Sequence, residues 1–332
     1  MKNIILALAL LPALAGANDG VAGVSAGGIV FRKTDAIAMK KEVLNVSVKL
    51  ISVDYEFLNE STREVEETIV FPLPAYPLLG LPIDSYYGQP QGFSIRVDGK
   101  PVSFTTRLVA LMGKKDVTAE LKRIGLSEAQ IAYNPQFQDH ANPAVSVAIP
   151  ALTAVQKQRL VKAGLFGERN DADGPLWSAQ VNYVWKQRFP VNQIVRVQHE
   201  YRPFTDKAFG TAQFDVDLPA DYCADKAFIA AYNKMVKRKG ADGSFAVEKV
   251  GYILKTGNTW KNGIEDFTLN VTKGAPEELI SLCFPGKFKK MNATTYQVRL
   301  QNFQPAKDLN IYFGDVATGS DDNSGVMPAL TK

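Results

Sequence analysis

Residues Trp177–Tyr201 read WSAQVNYVWKQRFPVNQIVRVQHEY. Trp177, Ala179, Val181, Tyr183 and Trp185 take every second place, Phe189-Pro190-Val191-Asn192 interrupts the run, and Val195, Val197, His199 and Tyr201 resume it. A period of two sends alternate side chains to one face of a pleated strand, so the stretch predicts two strands meeting at a bend. The same period extends outward in both directions. Upstream, Val46, Val48 and Leu50 alternate; then the parity shifts and Ile51, Val53, Tyr55 and Phe57 take over, which predicts a bulge or bend. After the turn cluster Asn59-Glu60-Ser61, the residues Val65, Ile69, Phe71 and Leu73 predict the return strand of an antiparallel hairpin. Phe93, Ile95 and Val97 predict another strand, Asp98-Gly99 a tight turn, and Val102 with Phe104 its partner. Beyond Pro203, short strands are expected around Phe214–Leu218, Tyr252, Phe267–Val271, Tyr296–Leu300 and Leu309–Phe313.

Helical signals are confined to two places. Residues 113–175 read as a helical and loop-rich insertion: Val117, Leu121 and Ile124 share a helix face that Asp116 can cap and Gly125 can end. Ser127 with Gln130, and Thr153 with Gln156, each match a capping box. A second helix is expected over 225–239, with Phe228, Tyr232, Met235 and Val236 on one face and Lys237, Arg238 and Lys239 at its C-terminal end, where cations complement the helix dipole. The pattern predicts a mainly β protein of two β-sandwich-like domains, 18–203 carrying the insertion and 204–314 carrying the helix, followed by a polar tail at 315–332.

The first residues carry an address. Lys2 precedes an apolar run from Ile4 to Leu14, and Ala15-Gly16-Ala17 supplies the small residues at which a signal peptidase cuts. We expect a signal peptide at 1–17, cleavage after Ala17 and a periplasmic or secreted destination. No later run is long and apolar enough to cross a bilayer, so no transmembrane segment is expected once the leader is gone. Export gives Cys223 and Cys283 a meaning, because disulfides persist outside the cytoplasm; we expect them to pair.

Composition narrows the chemistry. The chain has 332 residues, 38 Lys+Arg against 34 Asp+Glu, two His and two Cys. Two distant histidines and a paired cysteine couple make no zinc set, so no metal and no cofactor are expected. The small positive excess, without aromatic platforms spaced for bases, gives no nucleic-acid surface. Gly23-Val24-Ser25-Ala26-Gly27 matches G-x-S-x-G, but Ile29-Val30-Phe31 after it is strand-like, whereas a nucleophile elbow needs a helix there. His199 falls on the apolar parity of its strand, as a packed core histidine would, and His140 lies in a loop. No catalytic residue is assigned and no enzyme is expected; the enzymatic alternative is a serine hydrolase using Ser25 and a histidine. Tyr86 and Tyr87, in a Gly/Pro-rich loop, and Trp260 are the candidate ligand-binding aromatics for a glycan or cell-wall polymer.

Several segments taken together resemble a known family. Gly27-Gly28-Ile29-Val30-Phe31, Asp35-Ala36-Ile37-Ala38-Met39, the run from Val53 through Asn59 to Pro74, Trp185–Pro203 and Thr256-Gly257-Asn258-Thr259-Trp260 look like the bacterial exported family called domain of unknown function 4424. That resemblance implies an exported β-rich protein and brings no activity or site residues with it. The order of Asn59, Phe71-Pro72-Leu73-Pro74, Gly92-Phe93-Ser94 and Val97-Asp98-Gly99 is similar to the vault and inter-alpha-trypsin β-sandwich domain, which serves as an interaction module. The expectation is therefore a non-enzymatic binding or scaffolding protein of the bacterial cell envelope, with an envelope protein or a glycan as partner.

Overall fold

The computed structural model describes residues 18–25, 28–79, 93–133, 150–169, 172–211, 218–240 and 243–316. The leader, Tyr86, Tyr87, His140 and nearly all of the tail lie outside them. In chain order the strands are β1 (Gly20–Ser25), β2 (Gly28–Phe31), β3 (Ile37–Val46), β4 (Ile51–Asn59), β5 (Val65–Pro72), β6 (Tyr76–Pro77), β7 (Ser94–Val97), β8 (Lys100–Pro101), β9 (Thr105–Met112) and β10 (Lys115–Asp116). Three helices follow, α1 (Thr118–Ile124), α2 (Glu128–Ala132) and α3 (Ala154–Lys162), and then β11 (Phe166–Arg169), β12 (Ala172–Pro175), β13 (Ser178–Phe189), β14 (Ile194–Tyr201) and β15 (Thr205–Gly210). The remainder is α4 (Leu218–Asp221), α5 (Lys226–Lys239), β16 (Phe245–Tyr252), a 3₁₀ turn at Lys255–Thr259, β17 (Ile264–Thr272), β18 (Leu279–Leu282), β19 (Lys289–Lys290), β20 (Thr295–Phe303) and β21 (Leu309–Gly314).

Three sheets share one core. Sheet I runs β10-β9-β13-β5-β1-β2, with β6 also paired to β13; sheet II runs β19-β20-β17-β3-β4-β14-β7-β8; sheet III runs β15-β16-β21-β18. Phe71, Tyr183 and Trp185 of sheet I meet Tyr55, Phe57, Val197 and Phe267 of sheet II, and sheet III adds Tyr252, Ile311 and Phe313. The protein is thus mainly β and sandwich-like with few helices, as its periodicity predicts. Strand pairing crosses the division expected near Pro203, because β17 lies parallel to β3, with Leu269 opposite Leu44 and Val271 opposite Val46. Sheet III covers the same core and carries α5 on its other face, where Phe228, Tyr232, Met235 and Val236 pack with Phe245, Val247 and Tyr312. Alternation shows that a segment is a strand; the choice of sheet depends on what it meets.

The bend between β13 and β14 stands where the sequence puts it, whereas the one at Asn59 differs from expectation. β4 belongs to sheet II and β5 to sheet I, so the expected hairpin around Asn59 is an arch between sheets; β13 and β14 form a second arch. The arches touch. The Asn192 N–H donates to the Asn59 carbonyl at 3.0 Å, and the buried Asn59 side-chain amide donates to the Phe189 and Arg63 carbonyls at 2.7 and 2.8 Å. The parity shift after Leu50 is a hairpin turn, closed by the Ser47 N–H on the Leu50 carbonyl at 3.0 Å, while the register slip in that pair lies between Met39 and Lys41.

Local signals near the helices hold closely. Asp98 and Gly99 both take positive φ, 47° and 75°, as a two-residue hairpin turn of this hand requires. The N-cap of α1 is Val117 rather than the expected Asp116, which from one residue earlier accepts from the Thr118 N–H at 2.8 Å; Gly125 ends α1 in the left-handed region, and both capping boxes form. The insertion helices pack on the core-facing side of β13, farther along the strand, burying Val117, Leu121, Ile131 and Leu160 with Tyr76, Trp177 and Ala179. On the opposite face Val184 packs with Ala22 and Val70, so β13 is buried on both faces from Ala179 to Trp185. Leu218, expected in a strand, opens α4 instead. Cys223, after α4, and Cys283, after β18, form a disulfide with Cα atoms 4.9 Å apart, tying the α4–α5 connection to the edge of sheet III.

Candidate functional site

The residues just before β1 enter the protein interior. Asn18 and Asp19 are fully buried, and the turn Lys255–Thr259 with Trp260 closes over them. The Thr256 hydroxyl bonds both the backbone nitrogen and the carbonyl of Asn18, the Thr259 hydroxyl accepts from the Val21 N–H at 3.3 Å, and the Trp260 indole N–H donates to the Asp19 carbonyl at 2.6 Å. Gly20 leaves no space for a side chain: a Cβ there would lie 2.9 Å from the Phe31 ring and 3.1 Å from Thr256.

A polar cluster surrounds this entry. The Asn18 amide donates to Glu42 Oε2 at 2.8 Å, the Tyr55 hydroxyl donates to Asn18 Oδ1 at 2.6 Å, and the Tyr55 and Tyr252 hydroxyls are 3.0 Å apart. His199 Nε2 lies 2.9 Å from Asp19 Oδ1. Asp19 Oδ2, Glu42 Oε1 and His199 Nδ1 are buried without a hydrogen-bond partner. Burial pushes the Glu42 carboxyl up to about 8; the Asn18 hydrogen bond opposes this and the nearby Asp19 charge reinforces it. Burial also raises Asp19, against the attraction and hydrogen bond of His199. The rings of Tyr55, Phe71, Phe93 and Trp185 surround the imidazole, so His199 and Asp19 have the pairing of an acid–base couple but no access for a reactant.

A second feature opens to solvent on sheet I. β9 begins at Thr105, opposite Val184, whereas β13 runs on to Phe189 paired with β5 alone. Where the partner strand stops, a notch of about 590 Å³ remains, lined by Val24, Phe104, Val184 and Trp185 and by the polar residues Thr68, Ser103, Thr105, Arg107 and Lys186. Arg107 and Lys186 are exposed and make no ion pair among the described residues. The Trp185 indole N–H is buried without a partner. The Trp185 indole packs on His199 on the core side of the sheet, so the notch offers two cations and three hydroxyls around an apolar floor, which suit a carboxylate or phosphate.

The structure corrects one expected site residue and places others. Trp260 is fully buried and packs on Phe57, with ring centroids 4.4 Å apart; neither face of its indole is open to stack on a sugar. Tyr86 and Tyr87 lie outside the described residues, so nothing brings the three together. Ser25 ends β1, and the next element is the antiparallel strand β2, which is not the strand–turn–helix setting of a nucleophile elbow. At the basic end of α5, Arg238 and Lys239 pair with Asp315 at 2.9 and 2.7 Å. Among the described residues no group of three or more His, Cys, Asp or Glu could hold a metal ion, and no helix is long and apolar enough to cross a membrane. Arg107 and Lys186 carried no signal in the sequence, since an exposed cation on a strand is ordinary.

A family model described as "Domain of unknown function (DUF4424)" matches residues 17–312. Among solved structures, the chain is similar to one from Legionella pneumophila subsp. pneumophila str. Philadelphia 1, named as a candidate nutrient binding protein, at 16% identity and a TM-score of 0.44, covering 90% of this chain and 70% of that one. No curated protein matches the chain.

Proposed function

The chain belongs to the DUF4424 family, and from that premise we propose that it is an exported protein of the bacterial cell envelope, periplasmic or secreted, that binds a ligand or partner and does not transform it. The leader pattern at 1–17 supports export, as does the Cys223–Cys283 disulfide, a bond that persists in oxidising compartments. The order of segments that is similar to the vault and inter-alpha-trypsin domain favours an interaction role.

The observation that carries the binding reading is the notch beside Arg107 and Lys186. Its ligand is a small anion or an anionic group on a larger molecule, held by charge-assisted hydrogen bonds from Arg107 and Lys186 and by the hydroxyls of Ser103 and Thr105. The test is a titration of the purified protein with inorganic phosphate, citrate and galacturonate, followed by tryptophan fluorescence and the thermal midpoint. At least one of them should shift both signals, and Arg107→Ala with Lys186→Ala should abolish the shift without lowering the ligand-free midpoint. An unresponsive protein, or a response that the double variant keeps, would remove the notch as the binding site.

A further inference from the structure

We propose that leader removal builds part of the fold: cleavage between Ala17 and Asn18 leaves an α-ammonium group that seats against Thr256 and forms a buried ion pair with Glu42. The inference rests on the export reading above and adds a structural task for the processed terminus.

The sequence places the cut directly before Asn18, because Ala15 and Ala17 stand where a signal peptidase needs small residues. The structure places Asn18 in the interior, where chain starts are ordinarily exposed and poorly ordered. Hydrolysis of the Ala17–Asn18 bond consumes one water: the C–N bond breaks, the water oxygen remains on Ala17 as part of its carboxylate, and both water protons end on the Asn18 nitrogen, which leaves as –NH₃⁺. One amide donor thereby becomes three. The Thr256 hydroxyl already accepts from that nitrogen. Glu42 is held to the same residue through the Asn18 side-chain amide on Oε2 at 2.8 Å, and its other oxygen, Oε1, is buried with no partner.

Charge balance points the same way. With an amide at Asn18, the cluster holds two buried carboxyl groups, Asp19 and Glu42, one imidazole, His199, and the hydroxyls of Tyr55, Tyr252 and Thr256. Only Asp19 has a basic partner there. Burial then keeps the Glu42 carboxyl protonated to about 8, and a cation beside it would let it ionise. The elements that close on Asn18 and Asp19 are also segments on which the family resemblance rests: Val53–Phe57 supplies Tyr55, Trp185–Pro203 supplies His199, and Thr256–Trp260 supplies the clasp.

The test begins with N-terminal sequencing of the protein recovered from the periplasm of an expressing bacterium, which should start at Asn18. Two chains are then compared by urea denaturation, one beginning at Asn18 and one retaining Ala17, each with Glu42 and with Glu42→Gln. Retaining Ala17 should raise the unfolding equilibrium constant roughly tenfold or more, and the factor should fall below about threefold in the Glu42→Gln pair, because the added residue matters through the lost charge pair. Should the longer chain not fold, an NMR titration of the ¹⁵N-labelled α-amine in the Asn18 chain decides: Glu42 should hold its pKa above the ordinary value of about 7.7–8.0, and Glu42→Gln should lower it. Recovery with residues 1–17 still attached would overturn the export reading together with this one. A start at another residue, an equal cost of Ala17 in both backgrounds, or an α-amine indifferent to Glu42 would overturn the buried pair and leave export standing.

Discussion

His199 Nε2 lies 2.9 Å from Asp19 Oδ1, joining β14 of sheet II to the residue that precedes β1 of sheet I, 180 positions away in the chain. Both side chains are buried, so the contact acts as a polar rivet between the two sheets. A rivet of this kind is costly to half-remove, because the partner left behind keeps its burial and loses its compensation.

His199→Phe should therefore destabilise the protein by about 3–5 kcal/mol, read as a lower urea midpoint at unchanged slope. Adding Asp19→Asn to that variant should recover part of the loss, since a neutral amide is easier to bury than an unpaired carboxylate. A His199→Phe protein as stable as the parent would show that Asp19 is satisfied some other way.

The corner asparagine is the second vulnerable point. Asn59→Leu keeps the volume but leaves the Phe189 and Arg63 carbonyls without the donor that holds the two arches together. Each unsatisfied buried group costs roughly 1–3 kcal/mol. Asn59→Leu should lower the thermal midpoint by more than an exposed substitution on β4, such as Asp54→Asn.

The Cys223–Cys283 bridge closes a loop of 60 residues, and its loss should cost about 4 kcal/mol in the chain-entropy account. Replacing both cysteines by serine, or unfolding in reductant, should shift the urea midpoint by the same amount. The unreduced protein denatured in urea should show no free thiol.

Stability should also depend on pH through Glu42 wherever Asn18 remains an amide, as in the chain that retains Ala17. There the folded state keeps the Glu42 proton to about 8, whereas the unfolded chain loses it near 4.5. The stabilisation from this group is complete below about 4.5, declines at up to about 1.4 kcal/mol per pH unit, and is gone above about 8. Asp19 is raised as well, so the measurement is the difference between the parent and Glu42→Gln: the parent should lose stability relative to the variant steadily across that window. A difference that stays constant would mean that Glu42 ionises in the fold as readily as in water.

How much of the protein was legible depended on the range of the interaction. Strand periodicity, the capping boxes at Ser127 and Thr153, the Asp98-Gly99 turn and the amphipathic face of α5 are set by neighbours a few residues apart, and each appears where the sequence puts it. The cysteine pairing followed from compartment and count. The assignment of β4 and β5 to opposite sheets did not, because a bend after Asn59 is compatible with a hairpin or an arch until Phe189 and Asn192 arrive from the far side of the insertion. Trp260 is a candidate ligand-binding aromatic by sequence; its burial is decided by Phe57 and the Asp19 carbonyl.

The candidate sites divide along the same line. Sequence alone determined that an apolar run behind Lys2 ends in the small residues Ala15-Gly16-Ala17 and that the body is β-rich, since both are written in local composition and period. Only the tertiary structure decided that Asn18 and Asp19, two polar residues with every appearance of a loose start, lie at the centre of a buried cluster. Only it left Arg107 and Lys186 facing one notch. The reason is physical: burial and pairing are properties of strands brought together from across the chain, and no window of neighbouring residues contains both halves of either contact.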